Sequence, residues 1–135
     1  MPSLQSKFTF DNRFVNALPS DHEVDNFPRQ VYESAYSFAL PTKVAAPKVI
    51  ALDMRTANAL GFDHDDVTDP LFTQVVVGNE LLDGMAPYAM CYGGHQFGNW
   101  AGQLGDGRAI NLTEIEHNSK HWAIQLKGAG ATPYS

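Results

Sequence analysis

The chain has 135 residues, 44% of them apolar, enough to fill one modest core and to make a single compact unit the first expectation. Nine basic against fifteen acidic side chains leave a formal charge of −6, which argues against a general binder of nucleic acid or of membrane surfaces, since those carry a basic excess to neutralise phosphates. A single cysteine, Cys91, rules out an intrachain disulfide and a cysteine-built zinc site, and points to a reducing compartment.

The opening stretch "MPSLQSKFTFDNRF" lacks the continuous apolar run and small-residue cleavage site of a secretory signal, so a cytoplasmic protein is expected. Residues 1–47 read as an irregular segment. Pro19, Pro28, Pro41 and Pro47 interrupt any long element, while Phe8, Phe10, Phe14, Phe27, Tyr32, Tyr36 and Phe38 supply anchors for packing across a core. Within it "QVYESAYSFAL" (30–40) fits a short helix or a strand, and periodicity does not separate them.

From Lys48 the pattern sharpens. "KVIALDMRTANALG" sets Val49, Leu52, Ala59 and Leu60 at helical intervals, with Pro47 ahead and Gly61 where a left-handed cap belongs, which predicts a helix over 48–60. A second helix is predicted in "TDPLFTQVVVGN", with Asp69 as N-cap, Pro70 at the first helical position and Gly78 closing the run, although the three valines 75–77 lean toward strand. After the turn "LLDGMAPY" (81–88), the segments "YAMCY", "RAINLTEI" and "HWAIQLKG" are short and rich in β-branched or aromatic residues, an antiparallel meander. The expected class is therefore α+β, with helices followed by a small antiparallel sheet.

Chemistry gathers at "QLGDGRA" (103–109). Asp106-Gly107 is a strong hairpin dipeptide, because a two-residue turn needs positive φ and glycine supplies it without steric cost. Gly102, Gly105 and Gly107 are more glycine than one turn requires, and their missing side chains would let backbone N–H groups approach an anion. Arg108 adds a planar fork suited to phosphate oxygens. In "WAIQLK", alternation puts Trp122, Ile124 and Leu126 on one face and Ala123, Gln125 and Lys127 on the other. A strand lysine about twenty residues after a glycine-rich hairpin is how protein kinases pair a lysine with phosphates. The order here is G-x-x-G-x-G rather than G-x-G-x-x-G, so a plain glycine-rich hairpin and a phosphate-holding turn both remain open.

Beyond these local readings, "CYGGHQFGNWAGQLGDGRAINLTE" (91–114) followed by "IQLKGAGATPYS" (124–135) closely resembles the YdiU family related to selenoprotein O, as do "ANALGFD" (57–63) and "VGNELLDGMAPYAMCYGGHQFG" (77–98). The resemblance implies a protein-kinase-like fold, with 48–135 as part of its N-lobe and no C-lobe in this chain. It implies transfer of AMP from ATP to Ser, Thr or Tyr hydroxyls of protein substrates. Carried onto this sequence, ATP contacts fall on Gly105, Gly107, Arg108 and Lys127. The aspartate base and the ligands of magnesium or manganese have no counterpart in these residues, so a fragment inactive alone is expected. A kinase-like phosphotransferase and a non-enzymatic scaffold are the alternatives.

Other residues read more plainly. His95 is expected to be packed and hydrogen-bonded, His117 and His121 to lie in an exposed turn, and Asp106 to serve turn chemistry. Glu114 and Glu116 are expected on a solvated face, Trp100 and Trp122 in the core, and Cys91 buried and unreactive. Asn111-Leu112-Thr113 matches a glycosylation sequon by chance.

Overall fold

The computed structural model describes residues 3–135, so residues 1 and 2 of the expected N-terminal segment lie outside the described residues. A 3-10 turn, Leu4–Lys7, and a short helix α1, Arg13–Ala17, open the chain. Between them the backbone runs extended against the sheet: Phe10 bridges Ile115, Glu116 N–H donates to Thr9 O at 2.9 Å, and Asp11 N–H donates to Glu114 O at 3.1 Å. Phe8 is buried, and its ring lies 5.0 Å from that of Phe62. Phe14 stacks on Tyr88 at 4.9 Å, and Tyr36 closes the group edge-on. Other expected anchors meet solvent, notably Tyr32 and Phe27. The ambiguous 30–40 stretch contributes a strand, β1, of only Tyr36–Phe38.

The helix expected over 48–60 is shorter. α2 spans Met54–Ala59 because Asp53, not Pro47, caps it: the Asp53 carboxylate accepts from Arg55 N–H at 3.2 Å and from the Thr56 hydroxyl at 2.7 Å. Residues 48–53 stay non-helical and Ile50 is exposed, so the apolar spacing there buried nothing. Gly61 takes the left-handed cap at φ 97°. A helix not foreseen, α3 (His64–Thr68), starts with a reciprocal capping box between Asp63 and Asp66. Helix α4, Pro70–Val76, has Asp69 as cap and Pro70 at its first turn, and Gly78 follows with φ 79°. Val75 is buried in the core, so burial overrode the β-branched preference for strand.

The strands that follow are β2 (Tyr88–Met90), β3 (Gly93–Gln96), β4 (Asn99–Gln103), β5 (Ala109–His117) and β6 (Lys120–Lys127). Four form one antiparallel sheet in the order β1-β2-β5-β6, while β3 and β4 pair only with each other. The meander is thus interrupted by a separate ribbon. Helices pack on the main sheet, where Ile115 joins Leu4, Phe8, Ala57, Phe62, Phe72 and Val75. Ile110 and Leu112 form a second apolar group with Ala39, Ala89 and Ala129. Ile115 is fully buried, so Ile115→Ala should cost about 3 kcal/mol of stability, read as a lower midpoint in urea unfolding with an unchanged slope.

The hairpin expected at Asp106-Gly107 does not form. β4 and β5 belong to different sheets, and positive φ falls on Gly102 (74°) and Gly105 (145°) rather than on Gly107. The two tight hairpin turns are at Phe97-Gly98 (φ 52° and 81°) and Asn118-Ser119 (φ 51° and 63°), left-handed at both central positions as such turns require. Residues 104–108 are instead a crossover from the ribbon to the main sheet.

Candidate functional site

The crossover is anchored on its inner side. Leu104 N–H donates to Tyr92 O at 2.7 Å and Asp106 N–H to Met90 O at 2.9 Å. Asp106 is buried, and its Oδ2 accepts from Met90 N–H at 2.9 Å and from Asn111 Nδ2 at 3.2 Å. That carboxylate therefore ties the crossover to β2 and β5, which is why the chain crosses between sheets instead of folding back. Its partners are the Met90 backbone behind it and the Asn111 side chain ahead, not the backbone of its own turn as expected. Asn111 is itself buried, which closes the sequon to sugar.

The carbonyls of the crossover also turn inward. The Thr132 hydroxyl lies 2.5 Å from Asp106 O and 3.2 Å from Gly107 O, and the Ser135 hydroxyl donates to Gly107 O. All peptides here are trans, so the N–H groups of Gly107 and Arg108 point away from those carbonyls. Among the described residues, the N–H groups of Gly105, Gly107 and Arg108 meet no protein acceptor. Two successive free amides on a segment with few side chains suit an anion.

Two cations stand at the same end of the β5–β6 ladder. Ala109 is opposite Lys127, and Arg108 O accepts from Gly128 N–H at 2.9 Å and Ala129 N–H at 3.0 Å. The alternation read from "WAIQLK" holds: Trp122, Ile124 and Leu126 are half-buried, Ala123, Gln125 and Lys127 exposed. Among the described residues neither Arg108 nor Lys127 takes part in an ion pair. Free amides beside two unpaired cations can hold a polyphosphate. By contrast, the cavity of about 290 Å³ between α2, α4 and the sheet is lined mostly by apolar residues such as Phe62, Leu112 and Ile124, with the Asp53 carboxylate and no cation to meet a phosphate.

Behind the crossover runs a polar chain. The Tyr134 hydroxyl lies 2.6 Å from Ser37 Oγ, Ser37 donates to Asp21 Oδ2 at 2.9 Å, and Arg29 Nε donates to the same oxygen at 3.0 Å. Burial pushes the Asp21 carboxyl up, but the Arg29, Glu23 and Ser37 hydrogen bonds together hold it below the ordinary carboxylate value. Burial, chiefly, pushes the Tyr134 phenol up to about 12. Its folded value exceeds the unfolded value of about 10, so its contribution is complete below pH ~10 and is lost as pH rises toward 12. Tyr134→Phe should therefore flatten the fall in unfolding free energy across that window in urea melts taken at successive pH values.

Several expectations are corrected. His95 and Trp100 are exposed, not packed; their rings meet at 5.1 Å on the ribbon, which pairs only with itself. Trp122 does pack against the core. Glu114 is half-buried rather than solvated, and its Oε1 accepts from Phe14 N–H at 2.8 Å near the start of α1. Glu116 is exposed as expected. Cys91 is half-buried rather than buried, and burial raises its thiol above the ordinary value.

The histidines flank the Asn118-Ser119 turn rather than lying in it. His117 ends β5 with its ring against Gly61, while His121 on β6 contacts the Asp11 carboxylate. Donor atoms of Asp11, Glu116 and His121 lie within 4.8 Å of one another. Asp11 is remote in sequence, so no local spacing could disclose that group. Among the described residues, no helix is long and apolar enough to cross a membrane.

Comparison with known proteins bears on this geometry. The family model described as Protein adenylyltransferase SelO matches residues 25–135. The chain is 57% identical over 128 residues to a Protein nucleotidyltransferase YdiU of Rhodopirellula baltica, covering 94% of this chain and 24% of that protein. It is 58% identical over 127 residues to one of Azoarcus sp. and 53% over 126 residues to one of Tolumonas auensis, in each case over 93% of this chain and 24% of the relative. The chain thus spans about a quarter of the length of these curated relatives.

Proposed function

The chain belongs to the SelO family of protein adenylyltransferases, and from that membership we propose that Gly105, Gly107, Arg108 and Lys127 hold the phosphates of ATP. On this reading residues 48–135 are part of the N-lobe of a protein-kinase-like fold, with residues 1–47 packed across it. The full-length protein transfers AMP to Ser, Thr or Tyr hydroxyls of protein substrates. The hydroxyl oxygen bonds to the α-phosphorus, the bond from that phosphorus to the bridging oxygen breaks, and pyrophosphate leaves. Free crossover amides and Arg108 hold the phosphate oxygens, and Lys127 offsets the negative charge that grows on the leaving group.

One observation supports this most: the N–H groups of Gly107 and Arg108, without an acceptor among the described residues, share one end of the β5–β6 ladder with two cations that no described carboxylate pairs. Magnesium or manganese would be expected with the nucleotide, but the crossover does not fit a metal. Its one carboxylate, Asp106, is engaged by Met90 N–H and Asn111 Nδ2. The metal ligands and the base that takes the hydroxyl proton are assigned to the rest of the full-length protein.

The deciding experiment incubates the full-length protein with a protein substrate and ATP labelled at either the α or the γ phosphate. Label from the α position is expected on protein. Label from the γ position alone would overturn AMP transfer in favour of a kinase. The 135-residue chain by itself is expected to transfer nothing and to bind ATP weakly, since it spans about a quarter of the length of its relatives; tight binding in calorimetry would contradict this.

A further inference from the structure

We infer that Thr132 is a positioning residue that sets the direction of the crossover peptides, so that amides rather than carbonyls face the phosphates. The inference rests on the ATP reading above. Thr132 is fully buried, and its Oγ accepts from Tyr134 N–H at 3.1 Å. With that lone pair occupied, the single hydroxyl proton is directed to the carbonyls of Asp106, at 2.5 Å, and Gly107, at 3.2 Å. Ser135 completes the template: its Oγ accepts from Thr132 N–H at 2.8 Å and donates to Gly107 O.

Trans planarity converts this into recognition. Holding the carbonyls of residues 106 and 107 inward forces the amides of Gly107 and Arg108 outward. Without the Thr132 hydroxyl, the carbonyl of buried Asp106 loses its partner, and a rotated peptide becomes competitive. Rotation would present a carbonyl oxygen to phosphate oxygens, a repulsive contact in place of an attractive one. Gly107 has room for such a rotation because it lacks a side chain.

The test uses the full-length protein. Thr132→Val keeps shape and removes the hydroxyl; it should raise KM for ATP about tenfold, with a smaller fall in kcat. Affinity for tripolyphosphate, which has no base or sugar, should fall by the same factor. Thr132→Ser should restore both. A valine variant with KM within twofold of the parent, or a serine variant no better than valine, overturns the inference. Should the valine variant not fold, Ser135→Ala decides: a two- to threefold weaker tripolyphosphate affinity is expected, and no change overturns the template. Arg108→Ala separates the two levels. Unchanged ATP affinity there sinks the ATP reading itself, whereas weakening there beside a normal Thr132→Val sinks only this inference.

Discussion

If the full-length protein transfers AMP as proposed, replacing Lys127 with alanine is expected to lower that transfer by about two to three orders of magnitude, the usual loss when one preorganised stabiliser of transition-state charge is removed. Three features make the effect large. Lys127 is on the exposed face of β6, it is opposite Ala109 beside the crossover, and among the described residues no carboxylate neutralises it. The fold should survive, because the side chain packs against nothing that the sheet needs. The rate of label transfer from α-labelled ATP measures the loss, and equal thermal melting of variant and parent shows that it is chemical. Activity within threefold of the parent would remove Lys127 from the site.

Gly105→Ala is expected to cost about 3 kcal/mol of stability and to abolish the proposed ATP binding with it. The backbone there has φ 145°, which side chains rarely adopt. An added Cβ would stand 2.6 Å from Met90 O and 2.7 Å from Tyr134 Cγ. The first of these is backbone and cannot swing aside. Gly98→Ala is the control: φ is 81° but no heavy atom lies within 4 Å, so only the left-handed strain of about 1 kcal/mol applies. Urea unfolding of both variants measures the difference, and equal midpoints would mean that the packing at Gly105 yields.

How much of this was legible beforehand varies by residue. Asp69, Pro70 and Gly78 delimit α4 because capping is local chemistry, readable within a few positions. The β5 and β6 strands were legible from composition, and the exposure of Lys127 from alternation alone. Asp106-Gly107 misled because a turn dipeptide reports local preference, whereas its fate was set by Met90 and Asn111, bonds across the fold. The true hairpin turns, Phe97-Gly98 and Asn118-Ser119, place non-glycine residues at positive φ, a weaker signal than Asp-Gly. Thr132 escaped notice because a threonine in a loop carries no periodicity. Its partners lie about 25 residues upstream, at Asp106 and Gly107.

The ribbon of β3 and β4 behaves mechanically as a cantilever. Its root is clamped: Gln103 Nε2 donates to Arg29 O at 2.9 Å, its Oε1 accepts from Val31 N–H at 2.7 Å, and Leu104 is bonded to Tyr92. Its tip, Phe97, is wholly in solvent. That root adjoins the crossover whose amides face outward. The ribbon and the crossover therefore share one anchorage, and on the proposed reading whatever seats on the aromatic tip and whatever the crossover amides hold are footed on the same hydrogen bonds.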